Sequence, residues 1–148
     1  DGSLLVVAFA GLIVVFAMWW LYFAGSAHDL LTSSRAGIVW GYGHYVVFAS
    51  TAAVGAGIAV AVDHDAHKAH VSGVVAGYTV AVPVALFLLS VWALQVRPHV
   101  RGLRTVVYPI VAGLVLAVPF SPAPVVGVAV LLALLVVVAV ITPGRRHP

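Results

Sequence analysis

No cysteine occurs in this chain, which excludes disulfides, thiolate metal sites and thiol nucleophiles. Charge is nearly as scarce. Asp, Glu, Lys and Arg make up 7 % of residues, against about 25 % in a soluble domain. So few charges cannot coat a solvated surface, and 64 % hydrophobic residues with a mean hydropathy of +1.18 point to lipid instead. Gly-rich phosphate loops, nucleophile elbows and HExxH are also missing. Ser50, Ser72 and Ser90 have no acid–base partner near them in sequence, so enzymatic activity is not expected. The net charge of +3 is not a nucleic-acid footprint. Such a footprint needs basic residues clustered on a solvated face, and here they flank apolar segments.

What is present is a series of apolar runs, about 3–23, 38–62, 71–95, 103–120 and 123–141. Each is near the roughly 20 residues needed to cross about 30 Å of hydrocarbon. None alternates as a barrel strand would, and a lone segment in lipid must bond its own backbone, so helices are required. The expectation is a single domain over 1–148: an all-α, polytopic membrane bundle of five transmembrane helices with the bilayer as its partner. The first run lacks a basic leader, and Trp19, Trp20 and Tyr22 stand where a signal-peptide cleavage site would need small residues. The chain begins Asp1-Gly2-Ser3 without Met, and a piece of something longer is expected.

The gaps between runs alternate sides. Arg35, Arg97, Arg101, Arg104, Arg145 and Arg146 then share one face, and Lys68 takes the other. Positive charge marks cytoplasmic loops. This predicts a multi-pass protein of the cell (plasma) membrane with its N-terminus outside and its C-terminus in the cytoplasm. Trp19, Trp20, Trp40 and Trp92, joined by Tyr22, Tyr42, Tyr45 and Tyr108, form an aromatic belt at the same face. Ser121-Pro122-Ala123-Pro124 reads as a tight turn, with Pro124 suited to a first helical turn.

Small residues recur every four positions in run two (Ala49, Ala53, Gly57, Ala61, with Gly37 and Gly41 before them) and in run three (Gly73, Gly77, Ala81, Ala85). Such rows let helices approach closely, so runs two and three are expected to pack together. Run five is almost wholly Val, Leu and Ala and is expected to meet lipid over much of its surface. Pro83 removes a donor inside run three and frees the Thr79 carbonyl; Thr79 or Tyr78 would help satisfy it. Kinks of this kind occur at gates and also in bundles that transport nothing.

No Asp, Glu, Lys or Arg lies inside a span, so the chain alone lacks the carboxylate of a proton-coupled transporter. His44 is the ionisable side chain nearest membrane depth, with Thr51 seven residues on. It is either a group that binds solute or relays a proton, or an interfacial histidine bonded to a neighbouring helix. A b-type haem needs two axial histidines on facing helices. His28 and His99 fall in loops, so no cofactor is expected. His64, His67 and His70, with Asp63 and Asp65, have metal-ligand chemistry. Their three-residue spacing winds round a helix and Lys68 opposes a cation, so a solvated loop is the expectation and no metal site is assigned.

Trp19-Trp20-Leu21-Tyr22-Phe23, then Tyr42-Gly43-His44-Tyr45, then Ala59-Val60-Ala61-Val62-Asp63 and the Arg101-Gly102-Leu103-Arg104 opening of run four resemble the bacterial low temperature requirement A family. The resemblance implies the C-terminal portion of a longer protein with about twice as many spans. The family's acidic, Phe-rich E-x-F-F-D type motif is absent, and Ala24 stands where members often carry Asp. The family is linked to growth in the cold, without an established biochemical activity. Two roles follow. In one, the chain is a transport or permeation component with His44, Thr51, Tyr78, Thr79 and Pro83 along the path. In the other, it is a non-catalytic assembly subunit whose small-residue rows dock further transmembrane helices, from a missing N-terminal half or another subunit.

Overall fold

Each apolar run closes its backbone hydrogen bonds within itself, because lipid offers no other partner. The structure, a computed structural model, describes residues 2–25, 34–68, 70–98, 100–142 and 145–146. Its helices are α1 (Gly2–Phe23), α2 (Ser34–Asp65), α3 (Gly73–Val91), α4 (Leu103–Ala117) and α5 (Pro124–Ile141). Among the described residues, five helical segments are long and apolar enough to span a membrane. The protein is therefore an all-α, multi-pass membrane protein.

The helix ends follow local chemistry. α2 has 32 residues, about 48 Å at 1.5 Å per residue, so it exceeds the hydrocarbon core at its two ends. Ser72 caps α3, its Oγ accepting from the Val75 N–H at 3.3 Å. A π-helical turn, Trp92–Val96, extends α3, and a 3-10 turn, Val118–Phe120, extends α4. Pro124 occupies the first turn of α5, where its missing N–H would be unpaired anyway. Gly102 precedes α4 at φ 105°, a conformation that a Cβ disfavours. Two short strands, β1 (Val100–Arg101) and β2 (Arg145–Arg146), pair antiparallel and tie the α3–α4 connection to the chain after α5.

α3 is the central helix. It carries the fully enclosed Ala81, Val84 and Leu88 and packs most extensively on α2, then on α4. α5 packs on α1 and α4 through a row that includes Val125, Val128, Leu132, Leu135 and Ala139. Its other side (Val130, Leu134, Val137) is exposed and free to meet lipid.

Candidate functional site

His44 sits roughly two turns inside the apolar part of α2 and is only 5 % exposed. A buried imidazole must have both nitrogens bonded, and both are. Nδ1 lies 2.6 Å from the Trp40 carbonyl oxygen and Nε2 lies 2.8 Å from the Tyr22 hydroxyl. A carbonyl only accepts, so Nδ1 carries the proton; in the neutral ring Nε2 then accepts from Tyr22. The Trp40 ring lies 3.8 Å from the imidazole, with Tyr22 and Phe48 at 5.7 and 6.0 Å. The bond to Tyr22 joins α1 to α2, two helices that otherwise touch little.

The π-helical turn closes this pocket. A Cβ on Gly43 would lie 2.5 Å from Leu94, and one on Gly25 would lie 2.4 Å from Gln95 Oε1. The Oε1 of Gln95 and the Nε1 of Trp40 are buried without partners. Sequence reading had His44 but not Tyr22 as its partner, nor Gln95. The Tyr22–His44 contact is 22 positions long, and no local periodicity announces it.

The second polar cluster joins α2 to α3. Pro83 has no N–H for the Thr79 carbonyl four residues earlier. That carbonyl meets Gly57 instead: a Cβ on Gly57 would lie 2.1 Å from the Thr79 oxygen. The Gly57 Cα–H in that position makes the weak C–H···O contact that recurs between close helices. Thr79 returns a bond, its Oγ1 donating to the Gly57 carbonyl at 3.2 Å and to Ala76 O at 2.7 Å. Gly57 and Thr79 thus come together one turn before Pro83, and the α2 and α3 backbones are in close contact there.

The other sequence candidates disperse. Thr51 is exposed and donates to the Val47 carbonyl. Tyr78 packs edge-on against Phe120 at 6.0 Å. Ala61 and Ala81 are buried, Ala49, Ala53 and Gly73 are exposed, and Gly77 packs against Pro119 and Pro124. His64 lies in the last turn of α2, and His67 and His70 are exposed beyond it. Among the described residues no three His or Asp side chains stand close enough to hold a metal. His28 and His99 lie outside the described residues. An apolar groove of about 400 Å³ between α1 and α5, lined by residues such as Leu5, Phe9, Val126 and Val130, lies near the other membrane face and does not include His44.

The bottom of the bundle has its own contacts. Trp92 Nε1 donates to Thr105 O at 2.7 Å, and the Arg97 guanidinium lies 5.5 Å from the Trp92 ring. The Arg104 guanidinium donates to the Ala139 carbonyl in the last turn of α5. That carbonyl is one of those a helix end leaves without an intrahelical donor.

A family model described as bacterial low temperature requirement A protein (LtrA) matches residues 1–142. No curated protein and no solved structure matches the chain.

Proposed function

Since this chain belongs to the bacterial low temperature requirement A family, we propose that it is a non-catalytic assembly unit that docks further transmembrane helices on the outer face of α2. One observation supports this most. Tyr45, Ala49, Ala52, Ala56 and Ala59 are all exposed. Their steps of four, three, four and three residues keep them on one stripe, the geometry of a helix–helix seam. Small residues facing lipid forgo dispersion contact, whereas against a second helix they allow close approach. The exposed side of α5 offers the contrast, with Val130, Leu134 and Val137 suited to lipid. The basic end faces the cytoplasm of a plasma membrane, which leaves the N-terminus outside.

A photo-crosslinker at Ala52 in native membranes should capture a helix of another subunit or of the remainder of a longer chain. Capture of lipid alone would overturn this reading.

A permeation role is the second reading, favoured by the exposed Thr51, Tyr42 and Tyr45 near the same stripe. The path would then run between α2 and its partner helices, with His44 beneath it, because the α2 and α3 backbones are in close contact at Gly57. His44→Ala and Pro83→Leu would alter flux in reconstituted vesicles; unchanged flux of every solute tested would count against it.

A further inference from the structure

Pro83 and Pro109 stand inside α3 and α4. Each has no N–H to give the carbonyl four residues earlier, and each opens its helix to bending. The two carbonyls end differently. That of Thr79 meets the main chain of α2 at Gly57, so a neighbouring backbone braces α3 there. That of Thr105, opposite Pro109, accepts from the Trp92 indole Nε1 at 2.7 Å. This donor is a side chain, and a rotamer change can carry it away from its acceptor. Around the same proline, Leu103, Val106 and Ile110 on the outer side of α4 are exposed, so no described residue blocks movement in that direction. Trp92 also begins the π-helical turn Trp92–Val96. That turn sets Leu94 against Gly43 and Gln95 against Gly25, at the His44 pocket. π-helical turns within α-helices are frequent at functional sites.

We propose that Pro109 is a hinge in α4 and that the Trp92 indole is the latch that holds it. With the bond made, the start of α4 stays on the end of α3. With the bond broken, residues 103–108 bend outward. With any other residue at position 109, the Thr105 carbonyl would take a helical N–H, and the indole would add little. With proline there, the indole supplies a donor in place of the one the ring lacks. Arg104 tethers the same segment to α5 through the Ala139 carbonyl, so releasing the latch shifts a population and does not detach the segment. Bending parts α4 from the π-helical turn that closes the His44 pocket, and this couples the hinge to that pocket. The inference is independent of the docking role assigned to α2.

The chain has no cysteine, so spin labels go only where cysteine is introduced. Pulsed electron paramagnetic resonance on the full chain in lipid nanodiscs measures one pair at Ile38 and Leu103, on the near side of the hinge, and a reference pair at Ile38 and Leu114, beyond it. All three positions are exposed. One interhelical hydrogen bond in a membrane bundle corresponds to about a threefold change in a population ratio. Trp92→Phe keeps a ring beneath the Arg97 guanidinium but has no N–H. It should raise the bent fraction seen by the first pair about threefold and leave the reference pair unchanged. Adding Pro109→Ala restores the helical N–H and should reverse that rise. Pro109→Ala alone should narrow the distance distribution of the first pair. Arg97→Gln should change nothing; the same rise there would place the latch in the ring contact and overturn the role of the N–H. An unchanged bent fraction in Trp92→Phe, an equal change in the reference pair, or a rise that survives Pro109→Ala would overturn the proposal. Should Trp92→Phe fail to fold, a distribution no narrower in Pro109→Ala than in the unaltered protein overturns it as well.

Discussion

Gly57 has hydrogen where any other residue would have carbon, and that hydrogen faces the Thr79 carbonyl. Two effects meet at this point, and their sizes differ. A methyl group at Gly57 would have to push α2 away from the backbone of α3, an overpacking cost of about 1–3 kcal/mol. Removing the Thr79 hydroxyl deletes one interhelical hydrogen bond, worth about 0.6 kcal/mol in a membrane bundle, and the bond to Ala76 O remains possible only with that hydroxyl. Gly57→Ala should therefore destabilise the protein more than Thr79→Val when both are unfolded in mixed detergent micelles; the reverse order would show that the seam is not held by backbone proximity. Half of this cluster is legible in sequence, because a proline frees the carbonyl four residues before it wherever the helix lies. The other half is not. Nothing in the residues around position 57 says which carbonyl of α3 will stand opposite, and the same holds for Tyr22 opposite His44.

Helices are where the sequence speaks most clearly, and the small-residue rows mark α2 and α3 as packing partners without marking which members of each row lie inside. A four-residue step advances about 40° round a helix, so Ala49 and Ala53 have rotated out of the seam by the level at which Gly57 and Ala61 enter it. The buried row is His44, Val47, Ser50, Val54, Gly57 and Ala61, which steps by three or four and stays on one side. In water, polarity would reveal which row is inside. In lipid the two sides of a helix are equally apolar, so the pattern carries no such mark. Capping is a second property that emerges between elements. The Arg104 guanidinium on the Ala139 carbonyl supplies both a hydrogen bond and a positive charge at the negative end of α5, worth roughly 0.3–1 kcal/mol where exposed. Arg104→Leu should fray that turn, and amide hydrogen exchange of residues 140–142 should accelerate while the middle of α5 is unaffected. Unchanged exchange there would mean the cap contributes nothing.

At the scale of the molecule, the absence of cysteine makes topology directly measurable. A single cysteine placed at Lys68 should react with a membrane-impermeant thiol reagent added outside intact cells, and one placed at Arg97 should react only after the membrane is opened. Labelling of position 97 from outside would reverse the orientation proposed above. The number of spans, their helical state and the gathering of positive charge at one end follow from sequence alone, because the cost of leaving a backbone group unbonded in lipid, or of moving a cation across it, depends on composition and length and on no neighbour. Which sides of those helices touch was settled by the tertiary structure. So were the Tyr22–His44 link, the meeting of Gly57 with the carbonyl that Pro83 frees, and the setting of Arg101 across from Arg145. The physical reason is that packing inside a membrane is decided by shape and by single polar contacts between residues distant along the chain, and neither quantity is encoded in local hydropathy.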